Sequence, residues 1–150
     1  MPVSRFCGVY ASGCYNLGME DSIFTKIIRG EIPCHKVYED KQTLAFLSIN
    51  PIAPGHTLII PKTQVDHLWD LEDDEYQAVM ATCKKVAQRM REVLAPGRVG
   101  EHVAGTEVPH AHVHLFPFNS DEDFWNRPQP TPPNEELAEM ADRLRMEDEV

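Results

Sequence analysis

A chain of 150 residues, 42% hydrophobic and 25% charged, suits one globular domain with a real core. Its formal net charge of −10 disfavours non-specific binding to nucleic acid or to an anionic membrane, but leaves room for one nucleotide in a local pocket. No apolar run approaches the ~20 residues of a membrane span. The four cysteines (Cys7, Cys14, Cys34 and Cys83) form no Cys-x-x-Cys pair and read as reduced thiols of a cytoplasmic protein.

Residues 1–18 show neither helical nor strand periodicity and lack the continuous apolar stretch of a secretory signal. They read as a disordered extension, with the folded domain spanning 19–120 and a tail at 121–150. Asp21-Ser22 precedes a stripe of Ile23, Phe24, Ile27 and Ile28, with Gly30 where a helix-ending glycine sits, which predicts a short helix. Lys36–Glu39, Thr43–Ile49 and His56–Ile60 read as strands, with Asn50–Gly55 as the turn between the last two. Asp70–Leu94 is the longest helical pattern; Val79, Cys83, Val86 and Met90 lie near one face, and Asp73, Asp74 and Glu75 sit where the helix dipole favours anions. Arg98–Ala104 and His110–Phe116 predict two more strands. After the prolines at 128–133, Asn134 is placed to cap a terminal helix through Leu144. Strands that cluster rather than alternate with helices argue for an α+β fold with a mainly antiparallel sheet.

Residues 109–117 read Pro-His-Ala-His-Val-His-Leu-Phe-Pro. Strict alternation puts His110, His112, His114 and Phe116 on one face of a strand and Ala111, Val113 and Leu115 on the other. Successive imidazoles then stand ~6.6 Å apart. Packing explains three such histidines poorly. A metal site is one reading, since imidazole ligates zinc, with Glu107, His56 or His102 as further ligands. A flat strand, however, separates His110 from His114 by ~13 Å. Phosphate chemistry is the other reading: one neutral imidazole attacks phosphorus while its neighbours hold oxygens and the leaving group.

The segment His110-Ala-His112-Val-His114-Leu-Phe resembles the signature of the histidine triad (HIT) family. The resemblance extends to Asp21–Pro33, similar to the family's opening helix, and to Ala45–Lys62, similar to its central hairpin. It implies a HIT-like α+β fold: a five-stranded, mainly antiparallel sheet, a long helix, a short N-terminal helix, and a homodimer. It implies a metal- and cofactor-independent hydrolase or transferase, acting on the α-phosphorus of a nucleoside phosphoramidate or dinucleoside polyphosphate. His112 would be the nucleophile, forming a nucleotidyl-histidine. His114 would contact phosphate and leaving group, His110 would support the nucleophile, and His56 would pack behind the triad.

The same resemblance places the nucleoside in a cleft lined by Phe24, Ile28, Leu47 and Ile49. Ser48 falls where many members carry an acidic ribose ligand. The loop before the triad looks shortened; Thr106 remains a phosphate donor, and Glu107 is read as orienting a triad histidine. Ser22 and Thr25 occupy the place of the family's zinc-binding cysteine pair, so a structural zinc is not expected. Two other readings stay open: a nucleotide-binding module without turnover, motivated by Ser48 and Glu107, and a metal-dependent enzyme using the triad as ligands.

Overall fold

Two faces of one antiparallel sheet divide the molecule into a packed side and a histidine-bearing side. The computed structural model describes residues 18–150, so the extension expected at 1–18 lies, except for Gly18, outside the described residues. The strands are β1 (Lys36–Glu39), β2 (Thr43–Leu47), β3 (Thr57–Pro61), β4 (Arg98–His102) and β5 (Val113–Phe118), in the order β1-β2-β3-β5-β4, all antiparallel. Among the described residues no helix is long and apolar enough to cross a membrane.

On the packed side lies α2 (Asp73–Leu94), which buries Val79, Cys83, Val86 and Met90. Its stripe meets Ala45, Leu47, Ile59, Val113 and Leu115 from alternate positions of the three central strands. The helix begins at Asp73, because Leu68–Asp70 forms a separate 3-10 turn. Three acidic residues in its first turn complement the exposed N–H groups. Helix α4 (Asn134–Leu144) adds Leu137, Ala141 and Leu144 to the same core. Asn134 is its first residue and Pro133 stands at the cap, correcting the expected capping role of Asn134. Beyond α4 the chain returns to β1: Met146 N–H donates to the Val37 carbonyl and Glu149 N–H to that of Glu39, so the tail covers this sheet edge.

On the other face stands α1 (Ile23–Ile28), over Leu44, Phe46, Leu58 and Ile60. Ser22 caps it, its hydroxyl oxygen accepting the Thr25 N–H at 3.0 Å. A short helix α3 (Asp121–Phe124) closes the far end. There Gly100 is required, because a Cβ would lie 2.8 Å from the Phe124 ring and 3.1 Å from that of Phe116. Gly55 adopts φ +95° in the turn before β3, a region side chains rarely enter, and so aims His56 at the sheet.

The expected strand from His110 begins only at Val113. The His110 N–H bonds back to the Val108 carbonyl, and the Ala111 N–H reaches the Val65 carbonyl at 2.6 Å. The chain therefore enters the sheet late, and the first two histidines sit on an approach segment rather than on the ladder.

Candidate active site

The histidines are organised by main-chain groups that fix which ring nitrogen carries hydrogen. His112 Nδ1 lies 2.7 Å from the carbonyl oxygen of His110. A carbonyl only accepts, so Nδ1 carries the proton and the lone pair of the neutral ring is on Nε2. The opposite happens at His56, whose Nδ1 accepts the Ile52 N–H at 3.0 Å. Its hydrogen is therefore on Nε2, 2.9 Å from His114 Nδ1, which must accept. Neutral His114 thus carries hydrogen on Nε2. Two neighbouring rings, with centroids 5.1 Å apart, present opposite chemistry: a lone pair at His112 Nε2 and an N–H at His114 Nε2.

His110 is sealed in the interior at 0% exposure and His112 is buried at 5%, so the three imidazoles do not stand together on one open strand face as the alternation predicts. The His110 Nε2–H donates to the Pro61 carbonyl at 2.8 Å. Its Nδ1 accepts from the Ser22 hydroxyl at 2.8 Å. Phe24 packs in T-shaped geometry against both His110 and His112, at 5.8 and 5.2 Å between centroids.

His102 pairs with His114 across β4 and β5, its ring 4.5 Å away. Sequence reasoning weighed this residue only as a metal ligand; the β4–β5 register brings it to the triad. Among the described residues no group of three or more His, Cys, Asp or Glu side chains is arranged to hold a metal ion.

Burial holds His56 down at about 4, with the nearby His102 charge adding to the effect. Burial likewise holds His114 down at about 3, with His56, His102 and His112 around it. His110 and His102 are also lowered, chiefly by burial. These rings stay neutral near pH 7, as the tautomer pattern requires.

An apolar cleft of about 520 Å³, a size that suits a small organic ligand, opens on the α1 side; Phe24 in its wall touches the triad, whose own histidines do not line it. Ile23, Phe24 and Ile27 form its α1 wall, and Phe46, Leu47 and Ile49 its hairpin wall. Phe24 is common to the cleft and the histidines. Ile28, expected in the cleft, packs instead against the cluster under α1. Leu47 touches the cleft but belongs to the core beneath α2, while Phe46, which the sequence reading passed over, takes the α1 face. Ser48 is half-buried; its hydroxyl accepts the Asn50 N–H, and it does not line the cleft.

Thr106 and Glu107 are exposed, and Glu107 bonds no imidazole. The orienting role read for Glu107 is filled by the Pro61, His110 and Ile52 main-chain groups. Thr131 and Pro132 of the tail complete the cleft, with Thr131 bonded to Asn50 and the Gln129 N–H to the Pro51 carbonyl. The tail thus packs on its own chain's cleft. A larger hollow of about 610 Å³, between the ends of α2, β5 and α4, has no histidine in its wall.

Compared with known families, residues 29–121 match the HIT domain. The chain is 40% identical over 111 residues to an uncharacterized HIT-like protein of Borreliella burgdorferi, covering 69% of this chain and 80% of that protein. It is 37% identical to an adenylylsulfatase of Arabidopsis thaliana (70% of this chain, 56% of that protein) and 41% identical to an adenosine 5′-monophosphoramidase of Saccharomyces cerevisiae (63% and 61%). In three dimensions it resembles a HIT-like protein of Bartonella henselae, with TM-score 0.76 and 32% identity over 83% of this chain and 94% of the other.

The depressed histidines predict acid sensitivity. An unfolded histidine titrates near ~6.5, so below that pH the unfolded chain binds protons that folded His56 and His114 refuse, and stability falls as pH drops toward 4. Each ring contributes a slope of at most ~1.4 kcal/mol per pH unit. Urea unfolding between pH 7.5 and 4 should show this decline, and His56→Gln should make it shallower; parallel profiles would contradict the assignment.

Proposed function

The chain belongs to the HIT domain family, and from that premise we propose that it is a nucleotidyl hydrolase or transferase whose nucleophile is His112. The single observation that carries this reading is the opposed pair of ring nitrogens at His112 and His114. With a nucleoside in the apolar cleft, His112 Nε2 attacks the α-phosphorus. The bond to the leaving group breaks with its electron pair on the departing atom, which takes up a proton from solvent while His114 Nε2–H donates a hydrogen bond to it. Water, or another acceptor, then attacks the nucleotidyl-histidine, giving its proton back to solvent and freeing His112.

His110 positions His112 through its carbonyl and touches no substrate in this scheme. Thr106, in the loop before the triad, is read as a phosphate donor. Phe24, Ile49 and Phe46 hold the nucleoside. The substrate class is a nucleoside phosphoramidate or related α-phosphorus anhydride, as the relatives named an adenylylsulfatase and an adenosine 5′-monophosphoramidase support.

Adenosine 5′-phosphoramidate should give AMP without added metal. His112→Ala should lower kcat on the order of a thousandfold or more, and mass spectrometry of the quenched wild type should find AMP on His112. Tight nucleotide binding without turnover would assign the chain to binding alone. Activity lost in a chelator and restored by zinc would make it a metal enzyme.

The reading includes a homodimer. Strand β4 forms the sheet edge that the C-terminal tail leaves uncovered, and an unpaired edge favours pairing with a second copy. Light scattering of the full chain should give twice the 17.0 kDa chain mass; a monomer at micromolar concentration would overturn this part.

A further inference from the structure

We propose that Ser22 is a positioning residue for the reaction, linking the nucleoside-binding helix to the nucleophile through His110. The inference rests on His112 being that nucleophile. Ser22 uses every polar group it has. Its N–H donates to Gln64 Oε1 at 2.9 Å, its Oγ accepts the Thr25 N–H at 3.0 Å, and its hydroxyl hydrogen goes to His110 Nδ1 at 2.8 Å. Thr25 Oγ1 stands 3.4 Å from the same nitrogen but spends its hydrogen on Gln64 Oε1 at 2.5 Å. Gln64 is held in turn through its Nε2–H to the Glu20 carbonyl. With Ser22 only 5% exposed and His110 fully buried, water does not readily replace this hydroxyl.

The consequence follows from the geometry of the His110 ring. Nε2–H on Pro61 and the Ser22 hydroxyl on Nδ1 pin the ring at both nitrogens. Removing the hydroxyl leaves a buried acceptor unsatisfied. Turning the ring, or moving its hydrogen to the other nitrogen, to relieve that loss breaks the Pro61 bond. Either way the segment carrying the His110 carbonyl loses its anchor, and that carbonyl holds His112 Nδ1. Placement of the nucleophile, rather than affinity for the nucleoside, is what Ser22 controls.

The test uses three variants of the full chain. Ser22→Thr keeps the hydroxyl. Ser22→Gly removes it while remaining an acceptable helix cap, which separates capping from the His110 contact. Ser22→Asp caps well but only accepts, so it can hold Nδ1 only on a doubly protonated His110.

With adenosine 5′-phosphoramidate, Ser22→Thr should stay within about threefold of wild type. Ser22→Gly should lose about 10- to 100-fold in kcat with KM changed less than about threefold. Nitrogen NMR of histidine-labelled protein should show one His110 tautomer in wild type and Ser22→Thr, a mixture in Ser22→Gly, and a doubly protonated ring in Ser22→Asp.

Unchanged kcat, or wild-type His110 signals in Ser22→Gly, would overturn the proposal. So would a loss confined to KM. If Ser22→Gly does not fold, the Ser22→Asp signals decide. If wild type itself turns nothing over, the proposed activity fails, and the His110 signals alone decide whether Ser22 fixes that ring.

Discussion

The bond from His112 Nδ1 to the carbonyl of His110 is the constraint on which the site depends. A main-chain carbonyl cannot titrate or reverse its polarity, so it holds one tautomer wherever the ring is neutral. The Ile52 N–H does the converse for His56, and through it for His114. Two anchors of opposite polarity, one a carbonyl and one an amide, leave adjacent rings with a lone pair on one Nε2 and a hydrogen on the other. No carboxylate is needed to orient them, which accounts for Glu107 standing in solvent. Each of these groups is buried or half-buried, and leaving one unsatisfied costs about 1–3 kcal/mol. That is a sizeable share of the ~5–15 kcal/mol that holds a domain together. The arrangement is therefore enforced by folding itself.

Phe24 joins this constraint to the cleft. It lines the apolar space and also packs in T-shaped contacts on His110 and His112. The helix that carries it is capped by Ser22, whose hydroxyl reaches His110. One six-residue helix thus carries both a wall of the cleft and the contacts to the segment that bears His110 and His112. On the opposite face, α2 and α4 fill the core with aliphatic side chains and contribute no group to the histidine cluster. The C-terminal chain has two tasks: Thr131 and Pro132 line the cleft, and residues 146–149 cover the β1 edge.

Much of this was legible in the sequence because it is local. The apolar stripe from Ile23 to Ile28, the alternation through His114 and the long pattern ending at Leu94 each follow from spacing alone, and the family resemblance tied them to one fold. The errors have physical causes. Every residue of β2 is buried, so alternation carries no sign of which parity meets α1, and Phe46 escapes notice beside Leu47. The burial of His110 depends on Ser22 and Pro61, 88 and 49 residues away along the chain. The late entry of β5 turns on one bond from Ala111 to Val65. Ser22 was read as a helix start, which it is; its second bond became visible only once α1 was docked on the triad. His102 needed the β4–β5 register.

The central claim is that His112 and His114 hold opposite tautomers. Long-range proton–nitrogen correlation of histidine-labelled protein at pH 7 reads this directly. The account predicts hydrogen on Nδ1 alone for His112 and on Nε2 alone for His114. Hydrogen on Nε2 of His112, or the same tautomer on both rings, would contradict it.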